Sequence, residues 1–173
     1  MLKINEAVRN LWIRKKHYRP GSTWSGGQNR YSCLLALACK PYKIKIENVR
    51  LKSLEIKGFN HFADKTIVNF DQGITGVIGP NGCGKSNIVD SIRWVIGEQK
   101  ISQLRSENLE SLVFNGSKNR SASGLAEVSL TFENTKNLLP TEFSTVTVTR
   151  KYYKNGESEY RLNDGSCRLK DIH

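Results

Sequence analysis

The chain has 173 residues, enough for one domain with a real core, and a formal net charge of +11. The charge is uneven: residues 1–50 hold 11 Lys+Arg against 2 Asp+Glu, and residues 51–173 hold 16 against 14, so the region behind the first fifty is nearly neutral and overall basicity is weak grounds for a nucleic-acid binder. The four cysteines form no C-x-x-C pair and have no His pair at zinc spacing, which argues against a zinc module and fits a reduced compartment, while the longest apolar run, Cys33 to Cys39, is far too short to span a bilayer.

Residues 1–48 have no sustained periodicity and carry Arg14-Lys15-Lys16, Pro20-Gly21-Ser22 and Ser25-Gly26-Gly27. Three readings fit them: an Arg-rich targeting leader, a basic arm that touches DNA, or an extension that is disordered or outside the native domain. The last is favoured, because Val49 to Leu54 looks like the natural start of a folded unit. Leu51 to Phe59 alternates with apolar residues at 54 and 56 and predicts a strand; Lys65 to Phe70 predicts the next, and Asp71-Gln72-Gly73 a turn.

Gly73-Ile74-Thr75-Gly76-Val77-Ile78 is short, apolar and β-branched, the pattern of a buried strand. Gly79-Pro80-Asn81-Gly82-Cys83-Gly84-Lys85-Ser86 then spells G-x-x-x-x-G-K-S, and Ser86 to Ile96 has apolar residues at 88, 89, 92, 95 and 96, which is helical spacing. Strand, glycine loop and helix form the context in which this motif binds phosphate. The helix N-terminus offers unpaired N–H groups and a positive dipole end. Glycines let the backbone approach phosphate oxygens, Lys85 adds a point charge for the β- and γ-phosphates, and the Ser86 hydroxyl is a candidate Mg²⁺ ligand.

Beyond the helix, Leu112-Val113-Phe114 is a short strand candidate, and Leu125 to Phe132 and Phe143 to Tyr153 are longer ones. Asn155-Gly156 is a hairpin turn, Glu159 to Asn163 answers the preceding strand, and Asp164-Gly165 is a second turn. The pattern predicts a β-rich α/β sheet around one phosphate-loop helix, without internal repeats.

The loop in the form Gly79-Pro80-Asn81-Gly82-Cys83-Gly84-Lys85-Ser86-Asn87 resembles that of ABC-type ATPases acting on DNA: structural maintenance of chromosomes (SMC) proteins, RecF, RecN and their relatives. Asp90 to Gln99, Leu54 to Phe59, Leu112 to Ser117, Leu125 to Val128 and Gly156 to Ile172 resemble the bacterial SMC head more closely. The resemblance covers about residues 49–173. It implies a P-loop NTPase fold, namely the incomplete, β-rich N-terminal lobe of an ABC-type head. It also implies ATP and Mg²⁺ as cofactors, with residues 79–87 as the nucleotide loop. Arg105 matches the arginine loop that faces the nucleotide and is tied to DNA-stimulated activity. Asn60 and His61 depart from the usual Lys-Ser of bacterial members, and His61 has two readings, a residue stacked on the base or a surface residue.

By the same resemblance the glutamine loop, coiled coil, signature motif, catalytic Glu and switch His lie outside this chain, which is expected to be a fragment or truncated product with little or no hydrolysis alone. The implied partners are DNA, the C-terminal half-head of the same polypeptide, a second SMC protomer in a homodimer and a kleisin-type accessory subunit, with no membrane; the implied location is the cytoplasm, at the nucleoid. The implied function is the ATP-binding part of a chromosome condensation and segregation ATPase driven by head engagement. The alternatives are a RecF/RecN-type repair ATPase, a non-hydrolysing regulatory module, and a small-molecule kinase, although no acceptor-pocket or lid motif is present for the last.

Overall fold

The structure, a computed structural model, describes residues 49–71, 75–98, 108–136, 139 and 141–172 in full, and 11–17 and 33–39 as backbone. In chain order the elements are β1 (Leu11–His17), β2 (Cys33–Cys39), β3 (Arg50–Lys57), β4 (Thr66–Asn69), β5 (Thr75–Gly79), α1 (Lys85–Ile96), a 3₁₀ turn (Glu110–Leu112), β6 (Leu125–Glu133), β7 (Thr145–Tyr153), β8 (Ser158–Leu162), β9 (Gly165–Cys167) and α2 (Leu169–Ile172). Six strands form an antiparallel sheet in the order β4-β3-β6-β7-β8-β9. A second sheet has the order β1-β2-β5.

The large sheet follows from two-residue alternation. In β6, Ala126, Val128, Leu130 and Phe132 turn inward and are buried, while Leu125, Glu127, Ser129 and Thr131 lie on the other face. Leu54 and Ile56 of β3 and Val146 and Val148 of β7 join the same face. The helix α1 supplies the other side of the core through Ile88, Val89, Ile92 and Val95, the spacing expected from sequence, together with Trp94, which is wholly buried.

Turn chemistry accounts for the β7–β9 meander. Gly156 (φ 92) closes the β7–β8 turn with its N–H donating to the Tyr153 carbonyl. The β8–β9 turn uses Asn163 (φ 45) and Asp164 (φ 68), two residue types that tolerate the left-handed region and suit a tight hairpin. The segment between β6 and β7 is pinned by Asn134, which is 1 % exposed. Its Oδ1 accepts the Leu139 N–H (2.8 Å), and its Nδ2 donates to the carbonyls of Leu139, Thr141 and Phe143. Asn134→Ala removes all four contacts, leaves the buried Leu139 N–H without this acceptor, and is expected to destabilise the fold by about 2–4 kcal/mol, read as a shift in urea midpoint at unchanged slope.

Three findings differ from the pattern expected of the sequence. Leu112 ends a 3₁₀ turn, and only Val113 makes a bridge, to Phe59. The Asn108 side chain accepts the Ser111 N–H (2.8 Å) and so favours the turn. The phosphate-loop strand β5 pairs with β2, at Leu34↔Ile78 and Cys33↔Gly79, and stands outside the six-stranded sheet. β5 is also only half covered: Val77 packs against the core, but Ile78 is 67 % exposed, because the described residues cover one face of the strand. β1 and β2 both fall within the first 48 residues.

Candidate functional site

The loop between β5 and α1 is built from backbone requirements. Gly79 ends β5 and is buried; a Cβ there would stand 2.8 Å from the Cys83 sulfur, so the strand end and the loop already touch. Gly82 (φ 82) and Gly84 (φ 90) take the left-handed backbone that turns the chain back onto the helix axis, a conformation costly for residues with a Cβ. Gly84 is the N-cap of α1. It provides no side-chain cap, and no acidic residue lies in the first turn. The helix therefore begins with its positive dipole end uncompensated by side chains, in the place where an anion is favoured.

Lys85 is the first residue of α1 and only 7 % exposed. Its ammonium folds back over the loop, donating to the carbonyls of Gly79 (2.6 Å) and Pro80 and lying 3.7 Å from Cys83 Sγ. These contacts hold a buried positive charge at the mouth of the loop, where a phosphate would compete with neutral carbonyls for it. Pro80, Asn81, Gly82 and Cys83 are exposed, and Ser86 is half-buried one position into the helix. Among the described residues no group of three or more His, Cys, Asp and Glu side chains could hold a metal ion. A cation beside Ser86 would thus take most of its ligands from phosphate and water, as Mg²⁺ does at phosphate sites.

The site has a second wall. Just after β3, Gly58 (φ 61) turns the chain into a tight bend in which the Phe62 N–H donates to the Phe59 carbonyl (2.9 Å). The bend brings His61 Nδ1 within 2.6 Å of Asn87 Nδ2, a side-chain hydrogen bond between the bend and the first turn of α1. The Phe62 ring lies 3.7 Å from where a Cβ of Gly84 would be. His61 thus stands beside the first turn of α1 and Phe62 against the helix start. The contact of Phe62 with the loop has no signal in the sequence, since Gly84 lies 22 positions later, beyond both β4 and β5. Residues 79–87 run from the end of β5 through the loop into the first turn of α1; Arg105 lies outside the described residues.

Residues 50–173 match the family described as RecF/RecN/SMC N terminal domain. The chain is similar to the chromosome partition protein Smc of Lactiplantibacillus plantarum, 51% identical over 124 residues that cover 72% of this chain and 10% of that protein. Among solved structures, an SMC ATPase studied for ATP-driven dimerisation and DNA-stimulated activation superposes with a TM-score of 0.68 at 35% identity, covering 70% of this chain and 74% of that one. The Smc head domain of Pyrococcus furiosus, with an extended coiled coil and bound to the C-terminal domain of ScpA, gives 0.66 at 31% identity over 72% of this chain and 31% of that one. The chain spans about a tenth of the length of the curated relative it matches.

Proposed function

We propose, since this chain belongs to the RecF/RecN/SMC N-terminal domain family, that it is the ATP-binding portion of a chromosome-partition ATPase. The observation that carries this reading is the N-terminus of α1, capped by Gly84 with no side-chain cap hydrogen bond, with the buried Lys85 held over the loop before it. Identity of 51% to a chromosome partition Smc supports this reading over a repair ATPase of the RecF or RecN kind.

In this reading residues 49–173 are the N-terminal half of the head and residues 1–48 an extension to it. The first-turn N–H groups of α1 and the Lys85 ammonium bind the phosphates. The Ser86 hydroxyl is one ligand of Mg²⁺, and the Asn87–His61 pair steadies the first helical turn beside it. Bound Mg²⁺–ATP supplies the transferable phosphoryl group and the cation that offsets its charge. Arg105, which follows α1 in the sequence, is assigned by the same reading to act on the bound nucleotide. The exposed Ile78 face of β5 suits cover by the C-terminal half of the same head. The partners of the whole protein are then a second protomer, DNA and a kleisin-type subunit, for which the ScpA-bound Smc relative is the supporting case. Among the described residues no helix is long and apolar enough to cross a membrane, and the proposed location is the cytoplasm, at the nucleoid.

Titration of the full chain with Mg²⁺–ATP, followed by phosphate release, tests the proposal. Phosphoryl transfer depends on a residue that orients water, and that residue is expected from the C-terminal half. The expected result is saturable ATP binding with hydrolysis at background, rising when a C-terminal half-head is added. No detectable binding, alone or reunited, refutes the proposal; hydrolysis by this chain alone at the rate of intact heads refutes the division of labour.

A further inference from the structure

The core-facing positions of β7 are Val146, Val148, Arg150 and Tyr152, so a guanidinium occupies a place where the alternation calls for an apolar side chain. Arg150 is 5 % exposed. Its guanidinium lies between two rings, 4.6 Å from the centroid of Trp94 and 4.9 Å from that of Tyr160. One nitrogen donates to the Trp94 carbonyl at 2.8 Å and to the Glu98 carbonyl at 3.5 Å. These carbonyls mark the end of α1, which Gly97 (φ 106) closes with its own N–H to Trp94. The cation therefore sits at the negative end of the helix dipole.

The arrangement is costly for a purely structural one. Arg150 Nε, the Trp94 indole N–H and the Tyr160 hydroxyl are all buried with no hydrogen-bond partner among the described residues. Burial lowers the pKa of Arg150, opposed by the Tyr160 phenol, yet a guanidinium stays charged at neutral pH. Local rules are broken in this way chiefly where position matters to function.

From Arg150 the contacts run without a gap to the phosphate loop. Trp94 packs on Phe59 with ring centroids 5.3 Å apart. Phe59 opens the bend whose Asn60 N–H donates to the Leu112 carbonyl (2.7 Å), whose His61 meets Asn87 and whose Phe62 rests beside Gly84. Both ends of one 12-residue helix are thus held by the same set of contacts, across about 18 Å.

We infer that Arg150 is a positioning residue for the phosphate loop, setting the placement of α1 on the sheet by gripping its C-terminal carbonyls between Trp94 and Tyr160. This rests on the nucleotide reading above. The test is Mg²⁺–ATP titration of the full chain as wild type, Arg150→Lys, Tyr160→Leu and Val146→Ala, with melting temperatures measured alongside. Lysine keeps the charge but loses the planar face set against the Trp94 and Tyr160 rings, and is expected to weaken ATP about tenfold. Tyr160→Leu removes one face of the stack and is expected to weaken it about threefold. Val146→Ala, a core truncation on the same face of β7, is expected to lower the melting temperature and leave ATP affinity at the wild-type value. If Arg150→Lys does not fold, Tyr160→Leu decides by the same comparison. Affinity falling no further in the Arg150 and Tyr160 variants than in Val146→Ala overturns the inference and leaves the nucleotide reading standing. A wild-type chain that binds no ATP overturns both.

Discussion

Lys85→Ala is expected to weaken Mg²⁺–ATP binding by about 10- to 100-fold, the range of a charge-assisted hydrogen bond lost from a buried site. Lys85 is 7 % exposed, so its charge acts through little water, and the Gly79 and Pro80 carbonyls hold the ammonium at the loop. Truncation also takes the Lys85 donor from the buried Gly79 carbonyl, at a cost of about 1–3 kcal/mol. Two readouts separate the effects: the ATP dissociation constant by calorimetry, and the melting temperature without nucleotide. Lys85→Arg keeps a charge but carries a wider planar head that the loop has no room prepared for, and is expected to fall with the alanine variant. Wild-type ATP affinity in Lys85→Ala would remove the basis for assigning nucleotide binding to this loop.

Gly58→Ala is expected to be the most damaging small substitution in the described structure, at about 3–5 kcal/mol. The residue has φ 61, and an added Cβ would overlap the Leu125 carbonyl oxygen and stand 2.6 Å from Ser123 Oγ. The first obstacle is backbone, in the strand that pairs with β3, so relief requires moving β6 or the bend itself. The Gly58 carbonyl also accepts the Phe114 N–H (2.9 Å), which ties the bend to the segment after the 3₁₀ turn. The damage should reach the site, because His61 and Phe62, which form its second wall, follow in the same bend. Urea unfolding and ATP titration should both report the loss. A variant within about 1 kcal/mol of wild type would mean that the bend yields more easily than its contacts indicate.

The elements legible in the sequence are those whose signals are local. The α1 stripe at 88, 89, 92 and 95, the alternation of β6 and the turn residues at 155–156 and 163–164 each report on a few neighbours along the chain, and each element is present. The phosphate loop was legible for the same reason, since its glycines, Lys85 and Ser86 are consecutive and their chemistry needs only the strand before and the helix after. Leu112-Val113-Phe114 forms a turn and one bridge in place of the expected strand, because three apolar residues suit a strand as well as a turn, and the Asn108 contact that favours the turn comes from a polar neighbour.

Tertiary structure alone decided the rest. Nothing near β5 says that β2 is its partner or that Ile78 is left exposed. Nothing near Gly84 says that Phe62 rests beside it, and nothing near Arg150 says that Trp94, 56 residues earlier, covers its charge. Spacing along a chain determines which face of an element is apolar and which groups a loop carries. What meets that face is settled by the summed packing of distant residues, and for Arg150 by whether rings and helix carbonyls arrive to replace the water that its charge gives up.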